Sequence, residues 1–270
     1  MPRSVDLSGC QSKLAHAREH IDVLATEIGQ ACGPDPYSIP LLRQYEPSAN
    51  AVVYRIGTIV QVPDRWALMV GDAIHDMRGA LDHLMYQLAI VALGRTPTER
   101  ENRNIQFPEI RRLKDFSGRG FLTHVRPADI NVLRPFQPYK RLKKGQIHPL
   151  PKLIRLSNID KHRKLHLMVV IPRQASFTNR TDAFRDCVPD PTAPGPRGQP
   201  TAIVYHTPPR RSPKPGDEVL RVQVRATGPN PDVDFAAQIF GDIGIGRLGP
   251  AIPMLRAMAD YVGAVLAAFQ

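Results

Sequence analysis

The sequence predicts an α+β protein in which a helical bundle of N- and C-terminal helices packs with a small antiparallel sheet. Three observations lead there. Long stretches near both ends carry apolar residues at helical spacing. The second half holds short β-branched runs, one of them alternating apolar with polar. Between those runs prolines recur every few residues, which suits turns and excludes long helices. A single domain over 1–270 is expected, with helical parts at about 8–164 and 247–270. A strand-rich part at about 165–240 would contain a Pro-rich loop at 189–215.

The elements follow in order. Leu14, Ala17, Ile21, Leu24, Ala25 and Ile28 predict a helix from Ser8 or Ser12 to about Gln30, stopped by Gly33 and Pro34. Residues 51–62 read as a strand, or as a hairpin turning near Gly57. Asp64 is expected to cap a long helix that runs to about Leu93 and closes at Gly94. Short helices are expected near 112–117 and from Pro127 to just before Pro135. Another, from Pro149 to about Lys164, would bury Leu150, Leu153, Ile154, Leu156 and Ile159. Strands are expected at 165–171, 202–206, 218–226 and 233–240. The alternation from Glu218 to Arg225 implies one packed face and one wet face. Residues 241–249 read as a glycine-rich loop, without the lysine or context of a phosphate loop. A final helix spans about 250–269.

Composition narrows the function classes. With 36 Lys and Arg against 25 Asp and Glu, the net charge of +11 favours polyanionic partners, RNA among them. No apolar run is long enough to cross a bilayer, and the first residues lack the order of a secretion signal. The three cysteines, Cys10, Cys32 and Cys187, form no C-x-x-C pair and no disulfide framework. A cytoplasmic setting is therefore expected. No nucleophile elbow or kinase signature is present, and no H-x-x-x-H or H-E-x-x-H pattern is expected to support a metal site.

The long central helix carries the functional argument. Ala73, Ile74, Met77, Ala80, Leu81, Leu84, Met85 and Leu88 make one apolar stripe. The opposite face holds Asp72, His75, Asp76, Gly79, Asp82, His83 and Tyr86, with Arg78 at its edge. A solvated face would carry long helix formers such as Glu, Lys and Gln. Short polar groups around a glycine imply that something approaches closely: another helix, a subunit or a ligand. A second cluster, Asn158, Asp160, Lys161, His162 and Arg163, lies at a helix end. The two clusters are expected to share one cleft.

Two resemblances bear on this. The landmarks 71–84, Phe107-Pro108, 133–139 and 158–163 together resemble a widespread set of uncharacterised bacterial proteins, and their order implies that the two clusters belong together. Arg78 and His83, four residues between them, resemble the motif of HEPN-type proteins, many of them metal-independent ribonucleases acting as dimers. That resemblance implies His83 as acid or base, Arg78 as phosphate clamp, and Asp82, His75 or Asp160 in support. Lys161, His162, Arg163 and Asn158 would bind the backbone, no cofactor would be needed, and a homodimer is expected. The alternative is a metal-dependent hydrolase holding a divalent ion through His75, Asp82, Asp160 and His162. A third reading is a non-catalytic binding or scaffold protein that uses the polar face as an interface.

Overall fold

The computed structural model describes residues 4–31, 41–59, 61–116, 120–140, 148–163, 165, 167–170, 176–178, 184–192, 203–205, 214–233, 236–238, 242–245 and 248–270. The protein is α+β, and its residues group into two compact units. One comprises 1–26, 63–166 and 251–270; the other comprises 27–62 and 167–250.

The first unit is helical. Helix α1 (Ser8–Ala31) starts at the first of the two candidate serines, and α2 (Asp64–Leu93) is the longest element. Asp64 is not the cap of α2. Pro63 occupies that position in an extended conformation, and Asp64 lies in the first turn, where its charge complements the helix dipole. Gly94 ends α2 at φ 71°, a left-handed conformation that glycine adopts without steric cost. The eight-residue apolar stripe of α2 is buried throughout, and Trp66 is buried at its start. A short α3 (Glu99–Asn102) begins with a Thr98/Glu101 capping box.

Beyond α3 the expected helix near 112–117 is a 3-10 turn, Leu113–Phe116. Helix α4 (Pro127–Leu133) runs into a second such turn, Arg134–Phe136, because Pro135 can enter a first turn but cannot continue an α-helix. Helix α5 (Pro149–His162) buries Leu150, Leu153 and Leu156, while Ile154 and Ile159 are only half-buried. Helix α6 (Ala251–Ala267) buries Leu255, Met258, Val262, Val265 and Leu266. Helices α2, α5 and α6 pack on one another.

The second unit carries the strands, which among the described residues form one five-stranded sheet and three two-stranded pairs. Strands β1 (Leu41–Glu46) and β2 (Ala51–Ile56) form a hairpin, and its turn is at 47–50 instead of Gly57. Asn50 provides the left-handed residue at φ 46°. In chain order there follow β3 (Leu167–Val170), β4 (Ser176–Thr178), β5 (Phe184–Arg185), β6 (Cys187–Pro189) and β7 (Ile203–Tyr205). Then come β8 (Glu218–Ala226), β9 (Asp232–Val233), β10 (Ala236–Gln238) and β11 (Asp242–Ile245). Every pairing is antiparallel. The five-stranded sheet comprises β1, β2, β6, β7 and β8, and β8 is its shared strand, bonded to β2, β6 and β7.

Alternation along β8 fails at Val219. A register shift opposite Tyr54 and Arg55 marks a bulge, which leaves Val219 and Leu220 both buried. The glycine-rich stretch also differs from expectation. Ile243 and Ile245 are buried, and Asp242–Ile245 pairs β3 as a strand. Most of the Pro-rich stretch 189–215 lies outside the described residues.

Candidate functional site

The polar side of α2 is divided among three neighbours, all within the helical unit. Helix α1 lies antiparallel along one seam. Gly9 meets His83, Lys13 lies over Gly79, and His16 bonds Asp76, so position numbers rise on α1 as they fall on α2. The missing Cβ atoms explain the fit. A side chain at Gly9 would collide with the His83 ring, and one at Gly79 would stand 3.4 Å from Lys13 Cδ. The expected close approach to Gly79 is thus made by α1 of the same chain.

A second seam takes the segment after α3. Arg78 Nε donates to Asp82 Oδ2 at 3.0 Å, and Arg78 Nη2 lies 2.9 Å from Asp82 Oδ1. The same Nη2 donates to the Phe107 carbonyl at 3.3 Å, and the Phe107 amide donates to Asp82 Oδ1 at 2.7 Å. One ion pair therefore ties both backbone groups of Phe107 to α2. Beyond it, Gln137 accepts from the Ile110 amide, and Tyr261 of α6 donates to the Phe136 carbonyl at 2.8 Å. His148 packs edge-on against Tyr261 and accepts the Leu150 amide as cap of α5. Burial holds the His148 imidazole below its ordinary pKa. Burial likewise pushes the Tyr261 phenol upward.

The third neighbour is the end of α5. The Asp160 carboxylate is seated against Gly71, where a Cβ would stand 2.7 Å from Oδ1. Its pKa is raised by burial first and by Asp72 second, with His75 opposing. Asp160 thus lies against α2 and feels Asp72 and His75, and the two sequence clusters do meet. The meeting is at Asp160. Asn158, Lys161, His162 and Arg163 are exposed at the helix end, where the bases complement the dipole.

These seams sort the candidate residues. Arg78 and His83 share a helix but not a face, being about 140° apart at 100° per residue. Arg78 serves Phe107, and His83 packs on Gly9 beside Gln87. Asp82 gives both oxygens to Arg78 and one also to Phe107, and it stands two turns from His75. The expected ligand set of His75, Asp82, Asp160 and His162 is therefore not assembled as one group.

A different group is assembled. His16 Nδ1 lies 2.6 Å from Asp76 Oδ2, and the His16 and His20 rings meet edge-to-face at 4.4 Å between centroids. One ligand atom from each of His16, His20 and Asp76 can be chosen so that all lie within 4.8 Å of one another. Asp76 is drawn in, with 14% of its side chain exposed, whereas His16 is open at 58%. Asp76 was expected only as part of the polar face of α2, and His16 and His20 lie outside both expected clusters. Contrary to the expectation of no such pattern, they form H-x-x-x-H on a helix, and residues four apart share a face. Two imidazoles and a carboxylate are a donor set for zinc, manganese and related ions, leaving further positions for water or substrate.

No protein-family model, curated protein or solved structure matches the chain, so the seams and the triad carry the functional argument.

Proposed function

We propose that the helical unit is the centre of a metal-dependent hydrolase, with His16, His20 and Asp76 as the ligands of a divalent ion. The observation that carries this reading is the convergence of one carboxylate and two imidazoles from two helices, on a face reachable from solvent. The hydrogen bond between His16 and Asp76 holds the pair in place without metal; an ion entering there replaces the shared proton. Three protein ligands would leave room for water, and an ion held there would supply Lewis-acid activation of that water for hydrolysis. A nearby carboxylate would take the water's proton and return it to the leaving group. Asp72, one turn before Asp76, and Asp160, whose charge Asp72 disfavours, would be the carboxylates to serve that transfer.

The metal-independent ribonuclease reading asks Arg78 to leave Asp82 and Phe107 and to act with His83 from another face. Among the described residues no contact favours that release, whereas the three ligands of the metal reading already lie within 4.8 Å of one another.

Titration of metal-free protein with Zn2+ and with Mn2+, followed by calorimetry, tests the proposal. One site of micromolar affinity or better is expected, lost in His16→Ala, His20→Ala and Asp76→Ala and retained in His83→Ala. Absence of binding in the unaltered protein sinks it. Hydrolysis of p-nitrophenyl esters by the loaded protein, abolished by chelation, tests the catalytic part.

A further inference from the structure

We infer that the substrate of this centre carries a phosphoryl group, anchored jointly by the bound ion and by the Lys13 ammonium. The inference rests on the metal reading above and adds to it a substrate class and a specificity-determining residue.

Lys13 precedes His16 by three residues on α1, and Gly79 follows Asp76 by three on α2, so both lie one turn from the ligands in the same direction along the seam. That places Lys13 about 4.5 Å along the axis from the His16 level. Lys13 lies over the backbone of α2 because Gly79 has no side chain; Nζ is 3.6 Å from where a Cβ would stand. Glycine inside a helix costs roughly 1 kcal/mol relative to alanine, so the opening is retained against helix propensity.

Lys13 is half-buried, and among the described residues no carboxylate pairs with it. On the next seam Arg78 is consumed by Asp82 and Phe107. Among the described residues the ammonium, one turn along the seam from the ligand triad, therefore has no acidic partner for its charge. A divalent ion with two neutral imidazoles and one carboxylate retains net positive charge, and the ammonium adds to it. The matching ligand is an anion with several terminal oxygens, one to coordinate the ion and one to accept from the ammonium. A phosphoryl group has that form, and lysine serves it as a point charge. The chain's net charge of +11 attracts the same class of substrate at longer range.

The test uses the full chain loaded with Zn2+ or Mn2+. Inorganic phosphate is the binding probe, with acetate as control. p-Nitrophenyl phosphate, bis(p-nitrophenyl) phosphate and p-nitrophenyl acetate are the kinetic probes. Lys13→Met removes the charge and keeps the stem and helix propensity. It should leave metal affinity unchanged, weaken phosphate binding at least tenfold and raise KM for whichever phosphate ester is turned over, with Lys13→Arg restoring most of both. The monoester and diester arms distinguish the two sources of the group. Unaltered protein that binds no metal overturns the metal reading and this one with it. Metal-loaded protein that ignores phosphate, that binds it equally well as Lys13→Met, or that hydrolyses only the acetate ester overturns this inference alone.

Discussion

Asp76 and Asp82 lie six residues apart on the same helix, and their surroundings differ in kind. Asp82 accepts from the Phe107 amide and from two guanidinium nitrogens of Arg78, which in turn binds the Phe107 carbonyl. Every group there has a partner within the fold except Arg78 Nη1, which is buried without an acceptor. On the Asp76 seam the pairing is thin. Asp76 has His16, His16 meets His20 edge-to-face, and Lys13 has no acidic partner among the described residues. A network that ties charge to backbone, with one guanidinium nitrogen left over, is the mark of a structural tie. A cluster of good ligands with spare capacity, open on one side, is the mark of a binding site. The motif most conspicuous in the sequence lies on the more saturated side, and the candidate site lies on the other.

The largest effect that would break this contrast is on stability. Arg78→Ala strips Asp82 of its cation and leaves the carbonyl of buried Phe107 without its donor. It should cost about 2–3 kcal/mol, or roughly 5–10 °C in Tm. His16→Ala, which cuts an exposed pair, should cost under about 0.5 kcal/mol. Thermal unfolding of both metal-free proteins checks the pair of values. An Arg78→Ala protein as stable as the parent would return Arg78 to the list of functional residues.

The next effect is nearly as large and runs the other way. Zinc at a hundred times its Kd should stabilise the unaltered protein and Arg78→Ala alike by about 2.7 kcal/mol, and His20→Ala not at all. Melting curves with and without a chelator read this directly. Equal stabilisation of His20→Ala would place the ion elsewhere, and the contrast between the two seams would lose its functional half.

How much of this was legible follows from the same residues. The apolar stripe of α2 was readable because its period is local, and all eight of its members are buried. The oddity of the opposite face was also readable, since Asp, His and Gly are poor choices for a solvated helix. What covers that face was not readable. Asp76 meets His16 across sixty positions of sequence, and on α1 the histidines alternate with Arg18 and Glu19, which give the stripe the look of an ordinary wet surface. The misreadings in the sheet have local causes. Gly241, Gly244, Gly246 and Gly249 drew attention away from the alternation of Ile243 and Ile245. The run from Val219 to Leu220 breaks a two-residue period that only a bulge in the pairing with β2 accommodates.

A histidine on the saturated side behaves differently from those of the triad. His148 uses Nδ1 to accept the Leu150 amide, and burial lowers its pKa in the folded protein. A lowered base contributes stability that is complete above the ordinary value of 6.5 and is lost as pH falls through it toward the folded pKa. Protonation also converts the capping acceptor into a donor facing an N–H group. Metal-free protein should therefore lose about 1 kcal/mol between pH 7.5 and 5 that His148→Asn, a cap that does not titrate, does not lose. Parallel pH curves for the two proteins would show this group to be inert.

Asp160 gives the smallest and most specific effect. Its folded pKa is raised, by burial and then by Asp72, so the folded state prefers the neutral acid. For an acid the sign is the reverse of the usual carboxylate case. The fold is penalised as pH rises above the ordinary value of 3.8 and through the folded pKa, and the full penalty is present at neutral pH. Because the group is only half-buried, the penalty is small. Asp160→Asn should raise the Tm of the metal-free protein by about 1 °C at pH 7 and leave it unchanged below pH 3.8, where both side chains are neutral. The same substitution should slow ester hydrolysis by the metal-loaded protein, since an amide cannot carry the proton. A residue that costs stability and gains activity belongs to the open side of α2. An Asp160→Asn protein that is less stable at pH 7 and fully active would move Asp160, and the end of α5 with it, to the structural side.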